Sequence, residues 1–129
     1  MLNDVLSAGL SKILNAERTG KKECTVKPAS KLMTNVFKLM NEHRYIGSVE
    51  LVENTKGGFL KINLMGKLNK CGSIKPRYAV KKGDFEKYEK RYLLAKDFGM
   101  LIVSTQQGIM THIDAKSKNI GGRLIAYVY

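Results

Sequence analysis

The chain reads as an α+β protein. Its N-terminal half runs α-β-α-β-β, with two helices on a small sheet, and its C-terminal half is β-rich with short helices. Three observations predict this. Apolar residues recur at helical spacing in two windows of the first 42 residues. Short apolar runs, ended by Pro28 or turned at Gly57-Gly58, have the length of strands. A basic stretch with no sustained period, bounded by Gly66 and Gly72, separates residues 1–65 from residues 66–129.

The elements follow in order. Leu2, Val5, Leu6, Leu10, Ile13 and Leu14 share one face of a first helix, which Asn3 caps and Asp4 supports against the dipole. Gly20 stops it, with Arg18, Lys21 and Lys22 clustered at its end. Glu23 to Lys27 is a short strand closed by Pro28, and Ser30 caps a second helix running to about Glu42. That helix buries Leu32, Met33, Val36, Phe37 and Met40. Ser48 to Val52 and Phe59 to Leu64 form an antiparallel pair. Past residue 72, Ile74, Tyr78 and Val80 mark a strand that Pro76 confines to an edge or bulge. Asp84 to Tyr92 is a short helix with Phe85, Tyr88 and Tyr92 on one face. A strand from Met100, a polar loop from Ser104, a helical turn near Asp114 to Lys118 and a last strand from Arg123 to Tyr129 complete the chain.

Composition narrows the function. With 129 residues, the chain can bury roughly two-thirds of its unfolded surface without a disulfide or metal. Lys and Arg number 23 against 11 acids, a net of +12, which implies a polyanionic partner. The excess is uneven: +4 over residues 1–65 and +8 over residues 66–129. Lys67, Lys70, Lys75, Arg77, Lys81 and Lys82 fall in one stretch without an acid, interleaved with Asn69, Gly72 and Tyr78. Cys24 and Cys71 lack metal or redox spacing and read as reduced thiols of an intracellular protein. No signal-peptide pattern opens the chain, and apolar runs of at most six residues are too short for a membrane span. His43 and His112 sit in no catalytic motif, Ser104 lacks a nucleophile elbow, and the paired glycines precede no Gly-Lys-Ser/Thr. The expectation is therefore a protein that is not an enzyme and needs no cofactor, metal or small-molecule substrate.

The most informative segment is Ser104-Thr105-Gln106-Gln107-Gly108-Ile109-Met110-Thr111-His112, followed by Ala115 and Gly121-Gly122. Two hydroxyls, two amides and a glycine follow a buried strand. Such neutral donors and acceptors suit ribose hydroxyls and base edges, although a plain polar turn between strands has the same composition. This segment resembles the C-terminal motif of the universal small-subunit ribosomal protein eight family. The likeness runs along the chain through Asn3–Ala16 and Pro28-Ala29-Ser30-Lys31-Leu32. Gly66-Lys67-Leu68-Asn69-Lys70-Cys71-Gly72 and Ile74-Lys75-Pro76-Arg77 look like the family's archaeal and eukaryotic branch. One departure is Gln106, where bacterial members commonly carry Ser.

The resemblance implies a structural role in the small subunit, in the cytoplasm, with small-subunit ribosomal RNA and neighbouring ribosomal proteins as partners. It implies that Ser104, Thr105, Gln106 and Gly108 enter the minor groove of an RNA stem in the RNA's central domain. Lys67, Asn69, Lys70, Lys75 and Arg77 are expected to contact RNA beside them, chiefly through phosphates, with Lys81 and Lys82 only solvating the surface. Arg18, Lys21, Lys22 and Lys31 form a second candidate set. An RNA-modifying enzyme would need an acid–base set or a cofactor loop. A helix-turn-helix DNA binder would not place the strand Glu23–Lys27 between its helices.

Overall fold

In the computed structural model, α1 (Val5–Arg18) buries Leu6, Leu10 and Ile13, the stripe its spacing predicts. The structure describes residues 5–27, 30–53, 58–75, 77–93 and 99–129. Leu2, Asn3, Asp4, the Val5 side chain, Pro28, Ala29, Gly57 and Pro76 lie outside the described residues. The chain divides into two units, Met1–Cys71 and Gly72–Tyr129.

In the first unit, β1 (Glu23–Val26) leads to α2 (Lys31–Glu42). Ser30 caps α2: its Oγ accepts the Met33 N–H at 3.1 Å, satisfying a donor the helix itself leaves open. Met33, Val36, Phe37, Leu39 and Met40 are buried; Leu32, expected inside, is half-buried. β2 (Val49–Val52) and β3 (Phe59–Asn63) follow, giving the sheet order β1-β3-β2, antiparallel throughout. Central β3 turns Leu60 and Ile62 inward. Lys61 lies on the other face and reaches diagonally to Glu23 at 3.1 Å, a pair about half exposed and worth at most about 1 kcal/mol.

The second unit is a five-stranded sheet. β4 (Cys71–Ser73) starts at the unit boundary. β5 (Ala79–Val80), α3 (Phe85–Tyr92), β6 (Met100–Thr105), β7 (Gly108–Thr111), α4 (His112–Ser117) and β8 (Gly122–Val128) follow. The order is β4-β8-β6-β7, with β5 also on β8. Strands β6 and β8 lie inside the sheet, and Met100–Val103 and Leu124–Ala126 are buried, which is why these runs are apolar without alternation. Phe85 is fully buried in this core, and the half-buried Tyr88 packs on it, 5.5 Å from Tyr78.

One expectation is corrected here, and two features appear that no expectation covered. The strand expected from Ile74 to Val80 is two short strands, β4 and β5. Ile74 stays buried and its N–H reaches Ile125 O at 2.9 Å, but the exposed Lys75 bends away, in a run whose proline has no donor for a ladder. β7, which was not anticipated, pairs with β6 directly after the polar loop. Glu89 and His112 are buried, at 4% and 1% exposed, although both are polar.

Candidate nucleic-acid interface

The polar segment is the tip of the β6–β7 hairpin. Ser104 and Thr105 end β6, only Gln106 and Gln107 lie between the strands, and Thr105 faces Gly108 in the register. Neither glutamine has a positive φ; the reversal of twist is taken up by Gly108, at φ +112°. A Cβ built at Gly108 would meet nothing within 4 Å, so the glycine is required for its torsion rather than for space.

Thr105 builds the turn. Its hydroxyl donates to Gly108 O at 2.8 Å and accepts the Gln107 N–H at 3.1 Å. The hydroxyl's one hydrogen is thereby committed, so a partner can use Thr105 as an acceptor alone in this conformation. Ser104 is different: among the described residues its half-exposed hydroxyl has no hydrogen-bond partner. Gln106 is exposed and can both donate and accept.

An open groove of about 560 Å³ runs beside this tip. Ser104, Thr105 and Gln106 line it together with Lys81, Gly121, Gly122 and Arg123. The strand register explains the pairing: β8 begins between β5 and β6, so that Arg123 faces both Ala79 and Ser104. Two glycines permit this close approach. A Cβ at Gly121 would stand 2.4 Å from Val80 O, and one at Gly122 would stand 2.3 Å from Ser104 O. Backbone thus fills the space that side chains would otherwise take. The result is a groove lined by neutral and cationic side chains together, an arrangement that can hydrogen-bond sugar and base edges while attracting phosphate.

Sequence reasoning missed Arg123 in this groove, and Lys81, expected only to solvate the surface, lines it. The usable signal for Arg123 was Gly121-Gly122 immediately before it, since paired glycines at a strand start mark close backbone contact.

The remaining predicted residues are exposed and are not among the residues that line this groove. Lys75 and Arg77 lie between β4 and β5 of the second unit. Lys67, Asn69 and Lys70 belong to the first unit, on a segment held by two buried anchors between and beyond them. Leu68 is buried and donates its N–H to Glu17 Oε1 at 3.3 Å. Cys71 is buried and its thiol points to Leu10 O at 3.5 Å. Burial pushes the Cys71 thiol up to about 12, with the Arg18 charge pulling the other way. Arg18 is therefore close enough to act on the same segment.

Lys21 lines a second hollow, of about 280 Å³, with Lys12 and Cys24. Burial raises the Cys24 pKa, opposed by those two lysines. Lys22 is exposed ahead of β1. Lys31 is the first residue of α2, where the helix dipole disfavours a cation, so helix stability does not account for it.

Among the described residues no three His, Cys, Asp or Glu side chains gather to hold a metal, and no helix is long and apolar enough to cross a membrane. Compared with known protein families, residues 4–129 match the family model described as Ribosomal protein S8.

Proposed function

The chain belongs to the ribosomal protein S8 family, small-subunit ribosomal proteins that bind rRNA, and from that membership we propose that it is a primary binder of the RNA's central domain. It stabilises that RNA's fold so that neighbouring ribosomal proteins can join, and it acts in the cytoplasm. The observation that carries the site is the groove that Ser104, Thr105 and Gln106 line together with Lys81 and Arg123. A-form RNA presents 2′-hydroxyls in a wide, shallow minor groove, which suits a narrow hairpin tip with small polar side chains. Ser104 and Gln106 give and accept hydrogen bonds there, Thr105 accepts, and Gly108 turns the tip. Arg123 and Lys81 meet the adjoining phosphates, and Arg123 can fork onto two oxygens.

Lys67, Asn69, Lys70, Lys75, Arg77, Arg18, Lys21, Lys22 and Lys31 fasten the protein to further backbone. The halves 1–65 and 66–129 would then hold two RNA segments, and the second engagement benefits from the first through effective concentration. We infer membership of the archaeal and eukaryotic branch from the likeness of the motifs at Gly66–Gly72 and Ile74–Arg77.

The test is a footprint and a titration of the full chain on a central-domain fragment of small-subunit RNA, with duplex DNA as competitor. Protection of one irregular stem, outcompeting DNA, is expected. Ser104→Ala and Arg123→Ala should each weaken binding by about 1–3 kcal/mol without unfolding the chain. Equal affinity for duplex DNA, or no loss in either variant, refutes the proposal.

A further inference from the structure

A side chain closes the base of the RNA-facing hairpin. β6 pairs with β7 from Thr105↔Gly108 back to Ile102↔Thr111. One residue further back, Leu101 faces the point at which the chain leaves the ladder and enters α4. There the Leu101 N–H finds, in place of a strand carbonyl, the Nδ1 of His112 at 3.0 Å.

That bond settles the state of the ring. A nitrogen that accepts an N–H carries no proton of its own, so the imidazole is neutral and its proton sits on Nε2. Nε2 stands 3.0 Å from Glu89 Oε1, the acceptor it requires. The same carboxylate oxygen takes the Lys116 ammonium. His112 and Glu89 are almost fully buried, while Lys116 reaches solvent. α3 supplies the carboxylate, α4 the ring and the ammonium, and β6 the amide that they serve. In a site this dry, an amide left without an acceptor costs more than the bond contributes when made.

We propose that His112 is a positioning residue for RNA binding. It is a neutral imidazole, kept in its Nε2–H form by Glu89 and Lys116, that pins Leu101 and so holds the Ser104–Gln106 tip in line. This rests on the reading that the tip docks on RNA. A preorganised tip has less conformational freedom to lose when it binds.

Two substitutions separate the ring's two duties. His112→Asn can place an amide oxygen where Nδ1 stands, keeping an acceptor for Leu101 while giving up Glu89. His112→Gln can place an amide nitrogen where Nε2 stands, keeping Glu89 while leaving Leu101 without its acceptor.

Imidazole nitrogen-15 spectra of the wild-type chain should show a bare Nδ1 and a protonated Nε2 at neutral pH. The Leu101 amide should exchange about tenfold faster in His112→Gln, and close to the wild-type rate in His112→Asn. Affinity for the central-domain fragment should fall about five- to tenfold in His112→Gln and within about twofold in His112→Asn. A proton on Nδ1, or variants that match each other in Leu101 exchange and RNA affinity, overturns the proposal; the wild-type spectrum decides even if a variant fails to fold. Should the wild-type chain not bind the fragment, the RNA reading is what fails, and the spectrum and exchange rates still show whether the clamp exists.

Discussion

The hairpin groove of the second unit and the basic segment of the first solve opposite problems. At the groove the backbone is tightly determined. Thr105 closes the turn with two hydrogen bonds, and Gly121 and Gly122 admit neighbouring carbonyls that a Cβ would strike. The side chains of its hairpin tip, Ser104 to Gln107, are neutral. At the segment Lys67–Lys70 the charges are exposed, and the chain is held by the buried Leu68 within it and the buried Cys71 just beyond it. Short neutral contacts fail if a donor moves by an ångström, so they demand a rigid support. Phosphate attraction acts over a Debye length of roughly 8 Å at physiological salt and tolerates movement. In the proposed RNA complex, rigidity is concentrated where identity would be read, and the cations of the first unit sit on a simpler support where phosphate attraction would gather affinity.

The largest effect is expected where that rigidity is removed. Gly122→Ala drives a methyl group into Ser104 O, a backbone atom that cannot turn aside. We expect a loss of about 1–3 kcal/mol in urea unfolding, together with loss of RNA binding at concentrations where the protein is still folded. Lys70→Ala, by contrast, should leave stability within about 0.5 kcal/mol. If both substitutions alter stability equally, the groove is no more rigidly built than the segment.

A smaller effect separates the two regions by mechanism. Lys67→Ala and Lys70→Ala should each make the slope of log affinity against log salt shallower by about one. Ser104→Ala should lower affinity at every salt concentration and leave the slope unchanged, because no counterion is released when a hydroxyl binds. Titrations at four or five salt concentrations measure both. A change of slope in Ser104→Ala would mean that the hairpin tip works through charge after all.

The first unit was almost wholly legible in the sequence, and the second was not, for a physical reason. α1, α2 and Ser30 announce themselves through contacts three or four residues apart, within reach of a local pattern. β7 is four residues long and begins with glycine, so no periodicity can build up, and only its pairing with β6 makes it a strand. The burial of Glu89 depends on His112, 23 positions later, and nothing near residue 89 reports it. The groove unites Lys81, Ser104 and Arg123 through β-sheet register across more than 40 positions. The Ser104 motif was visible because its chemistry is contiguous; its cationic counterpart was not, because it is assembled by the fold.

The smallest expected effect at neutral pH concerns the anchor of the basic segment, and it emerges only in alkali. The Cys71 thiol is raised from an ordinary value of 9.0 to about 12 by burial. Between those values the folded chain keeps a proton that the unfolded chain releases, so unfolding gains from rising pH. Stability contributed by the protonated thiol is complete below pH 9 and declines as pH climbs toward 12. Cys71→Ala removes the titrating group. Its unfolding free energy will be lower than wild type at pH 7, through the lost side-chain contacts, but the gap should narrow steadily above pH 9. A gap constant from pH 7 to pH 11 would mean that the thiol is not held in a dry site, and that the segment carrying Lys67 and Lys70 is fastened by Leu68 without its second anchor.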